Sequence, residues 1–362
     1  MKKSDVQRNK SQAGIEIGVY TFGDVIQDPL TRRAISPKQR LEEIVAAAKL
    51  ADEVGLDVFG VGEHHRLDFA VSATPVVLGA IASVTKQIRL TSATTVLGSS
   101  DPVLVFEDYA TLDLLSNGRA EIIAGRGAFV ESFPLFGYDQ ADYEKLFSEK
   151  IDLLLQLNAK ERITWNGSLR KPLIDVEIAP RPAQQALPIW VGVGGTQESA
   201  IRAGTLGTNM AMAILGGEFA RFKPLVEVYR EAGSRAGHDQ EKLQIAVTSH
   251  GYIAKTSQQA MDEFYPYYAN YYKHFMRRSG RDSNITFGDF EQLVGPDQGL
   301  FVGSPQQIIE KILRQHELFG HNRFIAQIDI GGLPYSKVAA AIELLAAEVA
   351  PVIRRETGYI HQ

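Results

Sequence analysis

Glu63-His64-His65 follows directly on the apolar run Leu56-Asp57-Val58-Phe59-Gly60-Val61-Gly62, which reads as a short buried strand. The carboxyl ends of strands are where α/β proteins assemble their active sites. Imidazole is the side chain best suited to move a proton near neutral pH, so the tripeptide is a candidate acid–base centre. An exposed polar loop, or a histidine satisfied by backbone, explains the same three residues equally well when they are taken alone. A shared metal is a poorer explanation. His64 and His65 are adjacent, and successive strand side chains point to opposite faces, so the two rings are badly placed to bind one ion. His250 and Asp329 lie on later strands and could complete such a site, although His250 reads more readily as a lone core or pocket histidine.

Three further stretches carry chemistry. In Val191-Gly192-Val193-Gly194-Gly195-Thr196-Gln197-Glu198-Ser199 a strand runs into two glycines and a helix opens at once. Glycines permit close backbone approach, and the free N–H groups at a helix start attract an anion, so the stretch is a candidate phosphate cradle with Thr196 and Ser199 hydroxyls beside it. An ordinary tight turn with a capped helix is the competing explanation, and the spacing of the dinucleotide-binding glycine fingerprint is absent. Arg126 stands between Gly125 and Gly127 at the end of another strand, placed for a phosphate or carboxylate, or for a structural pair with a loop acid. Thr91-Ser92-Ala93-Thr94-Thr95 offers small side chains that would leave room for a flat ligand.

The elements that must position these residues alternate almost throughout. Strands are expected at Ile15–Phe22, Asp57–Gly62, Ile88–Leu97, Arg119–Ala124, Pro188–Val193, Thr208–Ile214, Leu243–Ala254 and Arg323–Ile330, with helical patterns between them. Ser36-Pro37 is a helix start and Asn117-Gly118 a helix stop. Eight strand–helix units in 362 residues predict a single α/β domain over residues 15–362, a (β/α)8 TIM barrel, behind a flexible tail at residues 1–14. Two insertions interrupt the rhythm: a helix with a β-like excursion between Asp142 and Pro182, and a polar, Gly-rich stretch from Arg277 to Gly303 expected to act as a mobile lid.

Composition narrows the classes. The chain is 44% hydrophobic and 22% charged with net charge −5, ordinary values for a globular protein and too mild to imply a charged partner. No basic stripe with interleaved aromatics supports nucleic-acid binding. With no cysteine, thiolate catalysis, zinc–thiolate sites and iron–sulfur clusters are excluded. The polar N-terminus and the absence of a long apolar run give a cytoplasmic expectation.

Taken in order, Glu63-His64-His65, the run Leu90 to Leu97, Asp101-Pro102-Val103, Leu112-Asp113-Leu114-Leu115-Ser116-Asn117-Gly118-Arg119, Gly125-Arg126-Gly127 and Val193-Gly194-Gly195-Thr196 with Ser199 make the chain resemble the bacterial luciferase-like flavin-dependent monooxygenases. The resemblance runs from Ile15 to Pro351. It implies a barrel that binds FMN, reduced by a separate flavin reductase, and that uses O2 through a flavin hydroperoxide to oxidise a small organic substrate such as an aldehyde, alkane or sulfonate. It implies His64 as the acid–base residue with Glu63 supporting it, and leaves His65 without a role. It implies Arg126, Gly194, Gly195, Thr196 and Ser199 at the FMN phosphate, and Ala93–Thr94 as the place of a non-proline cis peptide beneath the flavin ring. A homodimer is expected on the same ground. The light-producing subunit of that family has a reactive cysteine where this chain has Gly125, which argues against bioluminescence itself. A reductase of the same superfamily using a deazaflavin coenzyme, a flavin-binding protein without turnover and a metal-dependent hydrolase are the alternatives.

Overall fold

The computed structural model describes residues 14–358 apart from 128, 279, 281 and 282, so all but Gly14 of the expected tail lies outside the described residues. Twelve strands are present among them: β1 (Glu16–Thr21), β2 (Val58–Val61), β3 (Arg89–Ser92), β4 (Thr95–Val96), β5 (Ala120–Gly125), β6 (Arg162–Trp165), β7 (Leu173–Glu177), β8 (Ile189–Val193), β9 (Asn209–Ala213), β10 (Ile245–Ile253), β11 (Phe301–Gly303) and β12 (Arg323–Gln327). Eight of them close into a barrel in the order β1-β2-β3-β5-β8-β9-β10-β12 and back to β1, every pairing parallel. The helices are α1 (Pro37–Glu53), α2 (Thr74–Val84), α3 (Pro102–Ser116), α4 (Ser132–Leu135), α5 (Tyr143–Ala159), α6 (Gln197–Leu206), α7 (Lys223–Arg235), α8 (Ser257–Arg278), α9 (Phe287–Leu293), α10 (Pro305–Phe319), α11 (Tyr335–Leu344) and α12 (Ala350–Thr357). This is the expected (β/α)8 TIM barrel with insertions.

Local chemistry accounts for the boundaries. The Ser36 hydroxyl accepts from the Gln39 amide at 3.1 Å and Pro37 occupies the first turn of α1. Asn117 ends α3 in the left-handed region at φ 56°, and Gly118 follows at φ 83°. The expected strand Ile88–Leu97 is divided: the Ala93–Thr94 peptide is cis, and β4 beyond it pairs with β5 on its own. The β-like excursion is the antiparallel hairpin β6–β7, outside the barrel. The Gly-rich stretch 277–303 holds α9 and β11, the latter extending the sheet in parallel beside the far end of β10.

The main core lies between barrel and helices, whereas two small clusters fill the barrel itself: Tyr20, Val58, Ala93 and Ile325, and Ile123, Trp190, Ala211 and Ala246. At the amino ends of the strands the interior is plugged by charge. Arg323 donates to Glu121 at 2.5 Å and to Glu16 at 2.7 Å, Arg89 joins the same Glu121 carboxylate, and the Trp190 indole donates to it at 3.1 Å. Breaking such a buried network by removing one partner costs about 3–5 kcal/mol. The plug leaves the carboxyl ends as the open face. There the side of the barrel built by β2, β3, β5 and β8 is floored by Gly60, Ala93, Gly125 and Gly192. A Cβ at Gly60 would stand 2.9 Å from the Tyr20 Cβ and 3.1 Å from the Ala93 methyl, so a side chain there would crowd both.

Candidate active site

Glu63, His64 and His65 follow β2 on the open face, and the loop is tied down by its backbone: the His64 amide donates to the Val71 carbonyl at 3.0 Å. Side-chain alternation then separates the three. Glu63 and His65 point one way, and Glu63 Oε1 accepts from His65 Nε2 at 2.8 Å while Oε2 accepts from the Val96 amide at 3.0 Å. Glu63 therefore buttresses His65 and β4; it does not touch His64. The period-two rule that parts His64 from His65 also pairs Glu63 with His65.

His64 points into an aromatic box. Its ring stacks on Phe69 with centroids 4.1 Å apart and meets Phe22 and Phe129 edge-on at 4.8 and 5.2 Å. Phe275 of α8 extends the wall, stacked on Phe129 at 5.6 Å. Burial pushes the imidazole from 6.5 down to about 3, and the Arg66 charge pushes the same way. The ring is thus neutral at neutral pH. Nδ1 lies 4.0 Å from a Glu131 carboxylate oxygen, whereas Nε2 is buried with no hydrogen-bond partner. A neutral imidazole has one donor and one acceptor nitrogen, and the carboxylate favours the proton on Nδ1. Nε2 is then an acceptor aimed at nothing in the protein. Arg66 closes the box: its guanidinium lies 4.7 Å from the Phe129 centroid and donates to Asp68, which also takes His274 of α8 at 2.9 Å. Burial opposes the Asp68 charge, but bonds from Arg66 and His274 outweigh it and hold that carboxyl at about 2.

Across the floor stands a polar cradle. Arg126, just past β5, donates to the Ser199 hydroxyl at 2.9 Å and pairs with Glu144. Ser199 is 2.7 Å from the Thr196 hydroxyl, so Thr196, at the N-cap position of α6, spends its side chain on Ser199 and makes no capping bond. Arg202, one turn along α6, donates to the other Glu144 oxygen at 2.7 Å. A Cβ built at Gly194 or Gly195 meets nothing within 4 Å, and Gly195 sits at φ 127°. Bare backbone, a helix start, two guanidiniums and two hydroxyls thus come together, donors of the kind a phosphate takes, with the Glu144 carboxylate between the guanidiniums. The cradle follows the fifth strand of the barrel, away from the seventh and eighth that barrels usually employ. Between cradle and box lies the cis Ala93–Thr94 peptide; the Thr94 hydroxyl fills the space a side chain at Gly125 would take, 2.4 Å from its Cβ position.

A family model for luciferase-like monooxygenases matches residues 15–322. The chain belongs to that family. It is 25% identical over 332 residues to the oxygenase component of the flavin-dependent trigonelline monooxygenase of Acinetobacter baylyi, covering 87% of this chain and 90% of that one. The oxygenating constituent of 3,6-diketocamphane monooxygenase from Pseudomonas putida, solved in complex with FMN, shares the fold with a TM-score of 0.71 at 21% identity over 93% of this chain and 98% of the other. An F420-dependent secondary alcohol dehydrogenase shares it with a TM-score of 0.70 at 18% identity over 94% and 99%.

In this luciferase-like chain, sequence reasoning overlooks Phe69, Phe129 and Phe275, the walls around His64, and Glu144 and Arg202 in the cradle. Arg202 was within reach, since three residues after Ser199 is one helical turn. Glu144 comes from the first turn of α5, in the inserted segment, and no spacing rule links it to α6. His250 is buried against Tyr268 and Tyr271, and burial pushes it to about 4 against the opposing pull of Gln327.

Proposed function

We propose that this luciferase-like protein is the oxygenase of a two-component FMN-dependent monooxygenase, receiving reduced FMN from a separate flavin reductase and oxidising a small organic substrate with O2. One observation carries the reading: the Arg126–Ser199–Thr196 cradle and His64, whose buried Nε2 has no partner, both follow carboxyl ends of barrel strands, with β3 and β5 between β2 and β8. Arg126, the backbone of Gly194 and Gly195, and the hydroxyls of Thr196 and Ser199 would hold the phosphate, while Ala93 and Thr94 would carry the ring. Bound reduced FMN would supply two electrons so that one oxygen atom of O2 enters the substrate and the other leaves as water.

The chain's own contribution is exclusion of water and control of one proton. The aromatic box keeps water from the reacting atoms. His64 accepts a proton at Nε2 from the reacting group and returns it, and Glu63 holds the loop by bonding His65 and the Val96 amide. The exposed apolar side chains Val76 of α2 and Leu104 and Leu115 of α3, at 73%, 57% and 65% exposure, support a homodimer built on that face. A cytoplasmic setting accords with the absence of cysteine and with no described helix being long and apolar enough to cross a membrane.

Titration with FMN and with the deazaflavin coenzyme, each oxidised and reduced, tests the reading. Tighter binding of FMN is the expected result; preference for the deazaflavin would reassign the chain to the reductases, and binding of neither would overturn the flavin reading.

A further inference from the structure

The cradle already holds an anion of its own. Glu144, in the first turn of α5, places one carboxylate oxygen on Arg126 and the other on Arg202, 2.7 Å away, bridging the two guanidiniums. Its side chain is 57% exposed, so it stands at the rim with water on its far side. Burial would raise that carboxyl, but the hydrogen bond from Arg202 and the charge of Arg126 outweigh it and hold Glu144 below the ordinary carboxylate range. Arg202, meanwhile, keeps its Nη1 buried with no acceptor. A planar fork prefers to satisfy its donors on planar or tetrahedral oxyanions, and a buried N–H left without a partner is costly. The carboxylate thus takes one donor from each arginine and leaves Nη1 of Arg202 wanting.

We propose that Glu144 is a displaceable internal anion that competes with the incoming phosphate monoester for Arg126 and Arg202, and so keeps the flavin's affinity low and its exchange fast. The proposal rests on the flavin reading above. A dianionic phosphate reaching the fork meets two positive charges offset by one negative charge. Glu144 must swing out toward solvent to let the phosphate oxygens take both arginines and satisfy Nη1 of Arg202, or stay and repel it. Either way the carboxylate subtracts from binding. The contact suits a flavin that arrives reduced and leaves oxidised at every turnover.

The test compares wild type with Glu144→Gln and Glu144→Ala for FMN, riboflavin and inorganic phosphate, by fluorescence titration and calorimetry, with circular dichroism as the folding check. Both variants should bind FMN about tenfold tighter, a gain of ~1.4 kcal/mol, with slower dissociation. Riboflavin, which lacks the phosphate, should bind all three proteins alike. Unchanged or weaker FMN binding in the variants would overturn the proposal and make Glu144 a residue that merely positions the arginines. If no protein binds FMN, the phosphate arm decides: tighter phosphate in the variants sustains the competing anion while the flavin reading falls, and equal phosphate binding overturns both.

Discussion

The two walls of this barrel mouth are built on opposite principles. Around His64 the protein removes water, stacks rings and drives a titratable group into its neutral form. Around Arg126 it gathers charge at the rim, leaves glycine backbone bare and lets a half-exposed carboxylate stand in the fork. The dry wall sets the resting protonation state of His64; the wet wall holds its partners loosely and can trade them. On the proposed flavin reading, the difference would let one floor serve both a proton at a defined atom and a cofactor that comes and goes.

If the walls are independent, their variants should separate binding from turnover. His64→Ala should lower substrate oxidation by about 10²- to 10⁴-fold, the usual contribution of a positioned proton-transfer group, while FMN dissociation constants stay within about twofold. Arg126→Ala should weaken FMN about 100-fold, a loss of ~2.7 kcal/mol from charge-assisted bonds, and leave oxidation at saturating flavin largely intact. Flavin titration with saturation kinetics on both variants reads the separation, and a His64 variant that loses flavin binding would collapse the comparison.

The dry wall also predicts a pH signature. His64 has its folded value depressed from 6.5 to about 3, so between those values the unfolded chain binds a proton that the folded chain refuses. Its contribution to stability is therefore lost as pH falls through 6.5, and the loss levels off near 3. Asp24 runs the other way. Burial raises its carboxyl from 3.8 to about 7 despite Arg40, so stability declines as pH climbs through that window. In denaturant titrations Asp24→Asn should remove the decline between pH 3.8 and about 7, and His64→Phe the opposite slope between 6.5 and about 3. By nuclear magnetic resonance the His64 ring should show no titration from about pH 5 to pH 9. Phe129→Ala, which admits water to the box, should bring its titration up toward 6.5. A wild-type midpoint near 6.5 would mean the box is wet.

Much of this was legible in the chain. Strand–helix alternation gives eight units because each barrel strand is apolar enough to read at its own period, and Ser36, Pro37, Asn117 and Gly118 mark their boundaries by local chemistry alone. The cradle's glycines and hydroxyls sit within nine residues of one another, Val191 to Ser199, so spacing exposes them. The rest depends on distance in the chain. Phe69 and Phe129 come from two loops and Phe275 from α8, which only the closed barrel brings together. Glu144 meets Arg202 across 58 residues through an insertion with no repeat to announce it. The break at Ala93–Thr94 leaves no mark in a pattern that reads as one continuous strand from Ile88 to Leu97.

The smallest effect lies in the floor that joins the walls. Gly125 stands where the light-producing relatives are expected to have a cysteine, and here the Thr94 hydroxyl lies 2.4 Å from its Cβ position, with the Thr94 Cβ at 3.0 Å. Placing a cysteine there alone overpacks a buried site whose nearest neighbours are atoms of the short, stiff Thr94 side chain. Gly125→Cys should therefore destabilise by about 1–3 kcal/mol. Thr94→Ala removes the hydroxyl and methyl that clash and leaves the Cβ contact, so the double variant should recover most, though not all, of the loss. Denaturant midpoints for the four proteins of the cycle give the coupling directly, and residues in such contact should deviate from additivity by at least about 0.5 kcal/mol. Arg126 and the cradle lie beyond this contact, so phosphate affinity should not follow the change. Additive effects, or a Gly125→Cys protein as stable as wild type, would mean that Thr94 does not fill the place of the missing side chain, and that the floor is looser than the dry wall it supports.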